Sequence, residues 1–488
     1  MFKKVIFFTA VMFVSSAIGL AQESRTIAMG GLTYSIMDVD HSFNPYDLGN
    51  NPAWLSLDET ETWLKIMPSI NYGKGDYKRF YDPQSVTMYN MGFRGVKNLG
   101  EDGTFLGETN YSYEMRRDVK RSLKYDTYAG EAFFMADTNQ GTFRYNGPSI
   151  KFMYSFELFP NLYLGASVNY RILDGLKNVY SRATVLYREV GGTVGLAYRV
   201  SPEFNIGLTG VLSDDQEKIE AKSEDLTEVE IFNFRGETYS VRKRSSPVSQ
   251  TIRKKGKGVG AQLFWTLDQY SEFGLHADIY NSKEDILIPY STSTQSFEEY
   301  SEGYASFQNY NILAKGRYKL SDDWLLGSSL ELHHKNSWSK NPARDLLLWE
   351  WKVNSFKLGV GSSYHLLDDL LISAEYEYEN VKADSSKYID SRSVNFSSNN
   401  HLIRTGIEQE IFDNLFARAG FNYGIIPEDI LSGGKDVNYY VVTLGTGLKF
   451  NNSFDVDLTF VYNSYQPKNE NIKRTRFGSF LTVKLFSF

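Results

Sequence analysis

The feature that most constrains this chain is a strict alternation of apolar and polar side chains. In the stretch "LYLGASVNYRI", residues 162–172, one parity carries Leu162, Leu164, Ala166, Val168, Tyr170 and Ile172. The other parity carries Tyr163, Gly165, Ser167, Asn169 and Arg171. Successive side chains of a strand point to opposite faces, so the pattern predicts a strand with one apolar and one polar face.

The same pattern recurs along the chain, and tight turns separate its copies. After "GLAYRV" the chain turns at Ser201-Pro202-Glu203, and Phe204, Ile206 and Leu208 resume the apolar face. The segments "LDQYSEF", "LSDDWLL", "LLDDLLI", "IFDNLFA" and "KFNNSFD" have the same form, and "VKNLGEDGTF" is a looser example. Asp, Asn, Ser and Pro favour such turns through their backbone angles and local hydrogen bonds. With the turn after Phe159, the sequence predicts eight hairpins between residues 86 and 466.

The connections between these hairpins are long and polar. They cover residues 214–256, 282–306, 335–349, 382–399 and 426–436. Short turns at one edge and long loops at the other are typical of an outer-membrane barrel, whose short turns are periplasmic. Aromatic side chains near the short turns predict a girdle at the membrane interface. They are Phe156, Phe159, Tyr163, Trp265, Tyr270, Phe273, Tyr318, Trp324, Phe412, Phe416, Phe450 and Phe454.

The predicted fold is an all-β, transmembrane, antiparallel up-and-down barrel of about 14–18 strands, with an even strand number. One strand near residues 63–77 precedes the eight hairpins and one near residues 472–488 follows them, which makes 18 strands. Residues 125–136 and 142–145 are left over and predict a hairpin in an extracellular loop. In the last strand, Leu481, Val483 and Leu485 face lipid, whereas Phe486 and Phe488 lie on the other parity. The strand therefore needs a bulge or a lumen-facing Phe.

Composition and the N-terminus narrow the class of protein further. The chain has no cysteine, so it has neither a disulfide framework nor a cysteine-based site. Its net charge of −7 argues against nucleic-acid binding. Residues 1–21 predict a signal peptide, with Lys3 and Lys4 before an apolar run and Gly19-Leu20-Ala21 at the cleavage site. The alternative is a retained anchor helix.

Residues 22–61 do not alternate and precede the barrel of residues 62–488. They contain Ala28-Met29-Gly30-Gly31, then Asp38 and Asp40, then Asn51-Pro52-Ala53. This order of motifs resembles the start of the long-chain fatty-acid transporter family of outer-membrane barrels and its secretion-system relatives. The resemblance implies that the segment folds as a plug in the lumen. The chain departs from the family at Trp54, where the family has Gly, and in the stretch "HSFNPYDLG".

A plug also follows from the size of the barrel. A barrel of this strand number encloses more space than its own lumen side chains fill, so another segment must occupy it. Asp38 and Asp40 are suited to pair with lumen arginines. The alternative is that the segment is a disordered periplasmic tail.

Charged side chains on the polar parity are the candidate lumen residues: Arg171, Arg199, Lys357, His365, Arg418, Lys449, Asp455 and Asp457. Such residues bind a charged group or set ion selectivity, or they pair with each other and with the plug. The candidate site thus combines Asn51, Pro52, Ala53, Asp38 and Asp40 of the plug with Arg171, Arg199, Asp455 and Asp457 of the wall.

The sequence carries no local signature of catalysis. It has no Gly-x-Ser-x-Gly elbow, no His-Glu-x-x-His and no phosphate-binding loop, although a site assembled across strands leaves no such signature. His333 and His334 are adjacent on a strand and point to opposite faces, so they do not share a metal ion. We expect no enzymatic activity, no cofactor and no metal.

These observations predict a multi-pass protein of a Gram-negative outer membrane. The family resemblance implies uptake of hydrophobic or amphipathic small molecules through a plugged barrel; the alternative is a barrel that docks partner proteins in a secretion or uptake complex. Expected partners are outer-membrane lipid, the assembly machinery that reads the C-terminal strand, and a solute or protein at the extracellular loops. A lateral gap in a strand of the wall together with an apolar pocket would favour uptake. A lumen filled by the plug and by salt bridges would favour docking.

Overall fold

The computed structural model describes residues 49–58, 62–127, 133–179, 181–221, 230–235, 240–243, 248–268, 271–291, 297–341, 345–388, 391–412, 414–429, 434–450, 454–468 and 470–486. Over these ranges the chain is almost entirely β-strand. The strands are β1 Trp63–Gly75, β2 Ser85–Asn98, β3 Thr104–Ser122, β4 Phe133–Phe159, β5 Leu162–Lys177, β6 Thr184–Arg199, β7 Phe204–Ala221, β8 Ile231–Arg235, β9 Ser240–Lys243, β10 Val248–Thr266, β11 Glu272–Ser291, β12 Phe297–Ser321, β13 Trp324–Asn341, β14 Leu346–Leu367, β15 Leu370–Lys387, β16 Arg392–Phe412, β17 Leu415–Glu428, β18 Lys435–Phe450, β19 Phe454–Pro467 and β20 Arg474–Phe486.

The strands form one closed antiparallel ring. Each barrel strand pairs with its sequence neighbours, β7 pairs with β10, and β1 pairs with both β2 and β20. The short β8 and β9 lie outside the ring, so 18 of the 20 described strands close the barrel. This confirms the predicted all-β barrel and its count of 18. The eight short turns also lie where the sequence places them, for example between Phe159 and Leu162 and between Phe412 and Leu415.

The outer surface of the ring is apolar. On β7 and β10, outward-facing Leu208, Leu212 and Val259 are 61%, 67% and 65% exposed. Large apolar side chains on the outside of a closed barrel face lipid, because water would oppose so large an apolar area. The barrel is therefore an integral membrane protein of the outer-membrane type, a class whose short turns lie on the periplasmic side. No helix among the described residues is long and apolar enough to cross a membrane.

Aromatic side chains ring the barrel near the short turns. Phe159, Trp265, Tyr318, Trp324, Phe412 and Phe450 are all exposed there. Tyr163 is an exception to the predicted girdle, because it is 9% exposed and faces the lumen. Its position follows from the alternation of β5, which turns Leu162 and Leu164 outward. Tyr270 lies outside the described residues.

The connections opposite the short turns contain much more strand than the sequence predicts. β11 continues to Ser291 and β12 begins at Phe297, so residues 282–306 are mostly a continuation of the wall. Residues 142–145 likewise belong to β4 and not to a separate hairpin. Above the lipid-facing band the apolar alternation fades, but the backbone ladder continues because it does not depend on side-chain polarity.

At the end of β20, Phe486 faces the lumen, which is one of the two alternatives that the sequence predicts. β20 pairs with β1 up to the partners Trp63 and Phe486, and Phe486 packs inside the barrel against a buried cluster. That cluster contains Leu55, Trp63, Val96, Leu106 and Met153. Phe486 is thus a lumen-facing residue. Phe488 lies outside the described residues.

Candidate lumen site

A short segment before β1 lies inside the barrel. Pro52–Trp54 form a 3-10 helix, and Leu55–Asp58 continue it as a single α-helical turn. Asn51 caps this start, since its Oδ1 accepts a hydrogen bond from the Ala53 amide at 3.0 Å. Pro52 fits the first helical position because it has no N–H to leave unpaired. Asn51, Pro52, Ala53, Trp54 and Leu55 are all buried.

Polar contacts fix this segment to the wall. The Asn51 Nδ2 donates to Gln262 Oε1 at 2.9 Å and to the Leu196 carbonyl at 3.1 Å. The Ser155 hydroxyl donates to the Ala53 carbonyl at 3.0 Å, and the Ser56 hydroxyl donates to the Ser155 carbonyl at 2.7 Å. Asn51 therefore joins the segment to β6 and β10, while Ser155 joins it to β4.

Three lumen-facing glycines make room for the segment. A Cβ on Gly165 would clash with the Ala53 nitrogen, and one on Gly195 would clash with Asn51 Oδ1. A Cβ on Gly207 would lie 2.8 Å from the Asn51 side chain and from the Trp54 ring. These glycines sit on adjacent strands β5, β6 and β7 and form what we call the glycine slot. Sequence reasoning missed the slot, because glycines recur throughout the strands and the pairing that aligns these three is long-range.

A chain of polar side chains extends from the slot across four strands. Gln262 contacts His276 Nδ1 at 3.2 Å, and His276 Nε2 contacts Asp278 Oδ2 at 2.7 Å. Asn311 donates to Asp278 at 3.0 Å and also hydrogen-bonds His333. His334 faces outward and contacts Asn354 at 2.7 Å. The two adjacent histidines thus point to opposite faces, as the sequence predicts, and no cluster of metal-ligating side chains occurs among the described residues.

The connection between β3 and β4 folds into the extracellular end of the lumen. The ring of its Tyr125 makes cation–π contacts with two guanidinium groups, at 4.4 Å from Arg116 and 5.7 Å from Arg171. Arg171 also donates to the Tyr125 hydroxyl at 3.1 Å, and the Tyr187 ring stacks on Tyr125 with centroids 5.4 Å apart. Burial raises the pKa of Tyr125. Two arginines and one tyrosine, from the three strands β3, β5 and β6, thus hold this one side chain.

The first residues of β4 cross the mouth of the barrel. Phe133 lies in an apolar cluster with Ile252, Ile286 and Trp349, and its ring occupies the space where Gly303 of β12 lacks a side chain. Asp137 accepts from Lys177 Nζ at 2.7 Å, in a pair that is fully buried. β8 pairs with the same residues, Phe133–Asp137. We call Phe133–Asp137 the strap, because it connects the β4 wall to the far side of the barrel.

A cavity of about 900 Å³ lies on the extracellular side of the glycine slot. Tyr125, Tyr145 and Tyr187 line it together with Arg116 and Arg171. The acidic Asp215, Glu217 and Glu284 lie with Lys254 in its wall at β7, β10 and β11, and Arg474 and Arg476 lie in its wall at β20. The cavity therefore combines aromatic surface with charges of both signs.

The loop between β1 and β2 also borders the cavity. Asp82 there contacts Arg79 at 2.9 Å and Arg474 at 3.5 Å. Burial alone would raise the pKa of the Asp82 carboxyl, but the two guanidinium groups outweigh it and hold the pKa below its usual value. The loop is thus tied to β20 by a charged contact.

The barrel wall beside this cavity contains an interruption. The β1–β20 ladder stops at the pair Ile66 and Val483 and resumes at Ser69 and Phe480. Between these pairs lies Pro68, which has no N–H to donate. Met67, Ser69 and Phe480 line the cavity, so the interruption lies at the cavity wall. Pro148 marks a similar gap in the β4–β5 ladder.

Several of the remaining predicted lumen charges form ion pairs at other levels of the barrel. Arg418 contacts Glu408 and Asp457, and Asp457 is buried, as is Asp455 on the same strand. Arg199 lies near a short turn, 5.7 Å from the Tyr163 ring. Further pairs join Arg404 to Glu375 and Glu377, and Lys357 to Glu331. His365 is exposed near a short turn, and Lys449 lies 5.4 Å from the Phe416 ring.

The structure therefore brings together only part of the predicted site. Arg171 lies at the cavity, and Asn51, Pro52 and Ala53 lie at the glycine slot. Arg199, Asp455 and Asp457 lie elsewhere on the lumen wall. Asp38 and Asp40 fall outside the described residues. The tyrosines of the cavity were not recognisable from the sequence, because nothing local distinguishes them from the other tyrosines of the chain.

A closed 18-strand ring with a lipid-facing exterior and a partly filled lumen defines an integral outer-membrane β-barrel. The model of a family of unknown function (DUF6850) matches residues 52–305, which is more than half of the chain. The chain belongs to this family. A search of curated proteins matched none.

Solved structures give distant similarities. A FadL homologue of Pseudomonas aeruginosa is 13% identical, with 93% of this chain and 95% of that chain covered and a TM-score of 0.34. The toluene transporter TbuX of Ralstonia pickettii is 11% identical, with 95% and 97% covered and a TM-score of 0.33. The siderophore receptor PiuA of Acinetobacter baumannii is 9% identical, with 88% and 82% covered and a TM-score of 0.44. With TM-scores below 0.5, these similarities support no conclusion about what this barrel carries.

Proposed function

We propose that this barrel takes up a small hydrophobic or amphipathic molecule, which occupies the lumen cavity and leaves through the wall between β1 and β20. The observation that carries the proposal is the position of the cavity directly behind the interrupted ladder. A molecule beside Met67 and Phe480 has apolar contacts at one of the two places where the ladder beside the cavity is interrupted. Missing backbone hydrogen bonds lower the cost of separating two strands, because each bond is expensive to leave unmade in lipid.

The cavity lining supports an amphipathic solute. Tyrosine rings offer apolar faces with polar edges, and Arg116 and Arg171 offer charge beside them. Ligand sites commonly combine apolar surface with a few placed polar groups, and their volumes are typically about 300–1,000 Å³. The volume of about 900 Å³ falls in that range.

We further propose that residues 22–61 act as a plug that keeps the periplasmic half closed to ions. The described end of this segment, residues 49–58, supports this role through its contacts with the glycine slot. The route out of the cavity would then be lateral and not axial. A plug is compatible with a lateral route, since a solute that leaves through the wall does not need the axis of the barrel to open.

A cysteine pair tests the lateral route. The chain has no cysteine, so Ser69→Cys with Phe480→Cys places the only two thiols on facing residues just beside the interruption. After joining by a disulfide or a short bis-maleimide, we expect uptake of a fluorescent amphiphile into proteoliposomes to fall to background. Reduction of the disulfide form should restore it. The matched control is Asn90→Cys with Ser112→Cys on the uninterrupted β2–β3 ladder, which should transport in both states. Full uptake by the joined β1–β20 variant would contradict the proposal.

A second candidate function is the docking of partner proteins. The observation in its favour is the mouth, which the strap crosses with Phe133 in an apolar cluster and with the buried Lys177–Asp137 pair. A mouth held in this way suits a fixed surface better than a passage. If neither the joined nor the reduced β1–β20 variant takes up any amphiphile, docking becomes the better account.

A further inference from the structure

A group of basic side chains lies on the outer face of the barrel, directly above the lipid-facing band. Leu212, Val259 and Ile279 are exposed, outward-facing residues of β7, β10 and β11. The next outward positions towards the extracellular end of β10 are Lys257 and Lys255, and Lys255 faces Lys283 of β11 across the ladder. All three lysines are exposed. We call Lys255, Lys257 and Lys283 the basic patch.

The acidic side chains around the patch offset only part of its charge. Asp214 is the β7 partner of Lys255 in the ladder, and Asp285 is the β11 partner of Arg253. Arg253 contacts Glu299 at 2.8 Å. Within the described residues no ion pair involves the three patch lysines, and Arg188 of β6 adds a further exposed positive charge nearby. The face therefore carries an excess of positive charge.

Other strands carry aromatic side chains at the level of the patch. On β12, β15 and β16 the outward residues at the edge of the apolar band are Tyr310, Tyr376 and His401. Tyr376 and His401 hydrogen-bond each other at 2.7 Å, and Tyr310 packs against His334. Such aromatic positions are usual at a membrane interface. Three unpaired lysines on two neighbouring strands are a local departure from that pattern.

The position of the patch decides what can neutralise it. Lysines on a lipid-facing surface are costly at the bilayer centre and tolerable at the interface, where the amine reaches the headgroups. The patch lies at the extracellular edge of the band, so it meets the headgroups of the outer leaflet. Lysine is a common phosphate ligand, and basic clusters beside a membrane span attract anionic headgroups.

We propose that the basic patch binds the phosphate groups of an outer-leaflet glycolipid of the lipid A type. The phosphates would lie between Lys255 and Lys283 with Lys257 beneath them, and the acyl chains would run down the apolar surface of Leu212, Val259 and Ile279. This site is independent of the lumen and of the proposed uptake, because it faces outward and shares no residue with the cavity.

The test compares two triple variants purified in the same detergent. The first carries Lys255→Gln, Lys257→Gln and Lys283→Gln. The control carries Lys352→Gln, Lys382→Gln and Lys435→Gln, which removes three exposed lysines from β14, β15 and β18. Each protein is titrated with bisphosphorylated lipid A, with dephosphorylated lipid A and with phosphatidylglycerol, and bound lipid is counted by native mass spectrometry. Heat-modifiable migration on gels verifies that each barrel is folded.

We expect the patch variant to bind bisphosphorylated lipid A at least roughly tenfold more weakly than the wild type, since each basic residue near a charged surface contributes several-fold in affinity. The control variant should bind like the wild type, and the wild type should bind dephosphorylated lipid A at least roughly tenfold more weakly. Equal binding by the patch variant and the wild type would overturn the site. Equal binding of phosphatidylglycerol and lipid A by the wild type would overturn its selectivity for the glycolipid. If the triple variant does not fold, Lys255→Gln and Lys283→Gln alone carry the same comparison.

Discussion

Asn51 makes the most specific contacts of the segment inside the barrel. Its side chain accepts from Ala53 and donates to Gln262 and to the Leu196 carbonyl, and it does so because Gly195 leaves space for its oxygen. The Asn51-Pro52-Ala53 corner was predictable from the sequence, because Pro52 restricts its own backbone angles and those of Asn51 before it. The glycine beneath it was not predictable, because the contact joins residues far apart in the chain.

Replacing Gly195 should release this corner. In Gly195→Ala the new methyl group would meet Asn51 Oδ1, so Asn51 must move and lose hydrogen bonds worth about 1–3 kcal/mol when left unmade in a buried site. We expect a folded barrel with a higher single-channel conductance in planar bilayers. The control is Gly210→Ala on β7, where a Cβ would meet no atom within 4 Å. Conductance that stays at the wild-type level in Gly195→Ala would mean that this segment does not limit the ion path.

At the level of elements, the strands and short turns followed from the sequence and the strap did not. The turn residues after Phe159 or Phe412 act locally, so their positions can be derived without knowing the fold. The strap depends on Phe133 reaching Gly303 and on β8 pairing with β4, and both contacts are non-local. The lengths of the loops were overestimated for a related reason. Above the membrane the strands continue through backbone pairing, but their side chains no longer alternate between apolar and polar.

Removing the ring of Phe133 should loosen the strap without opening the barrel. Phe133→Ala deletes a buried aromatic side chain, a change that typically costs about 3–5 kcal/mol where the site cannot collapse. Because the strap is not part of the ring, we expect the cost to appear as faster amide hydrogen exchange in Phe133–Asp137, with an unchanged melting temperature of the barrel. Tyr300→Ala on β12 removes an exposed aromatic side chain close to Gly303 and serves as the control. Unchanged exchange in Phe133→Ala would show that the apolar cluster does not hold the strap.

For the whole molecule, the parity of each strand decides which side meets lipid and which meets the lumen. Adjacent residues of β2 illustrate this rule. Met91 is exposed on the outer face, whereas Asn90 lines the cavity. The rule was available from the sequence because it needs only the alternation and the turn spacing. The cavity could not be predicted from the sequence, because its shape depends on the space that the inward-folded connections leave empty.

This rule predicts opposite effects at the two adjacent positions. Met91→Arg places a charge in the lipid-facing band and should destabilise the folded barrel by about 2–4 kcal/mol if it lies near the bilayer midplane. Asn90→Arg places the same charge in a cavity that already holds ions of both signs, and we expect a much smaller change. Urea-dependent refolding into lipid vesicles measures both. Equal losses would contradict the assignment of the two faces.

The buried cluster around Leu55 joins the segment before the first strand to Phe486 of the last strand. The same side chains therefore complete both the junction between β1 and β20 and the packing of the segment. We therefore expect the segment to be in place before the barrel closes, because Leu55 forms part of the surface against which Phe486 packs. The free edge of β1 must stay unpaired until β20, the last strand, has been synthesised and transported to the membrane. On this basis we expect closure of the ring and packing of the segment to occur together in the last step of assembly, and we expect a chain that ends before β20 to have both an open barrel wall and an unpacked segment.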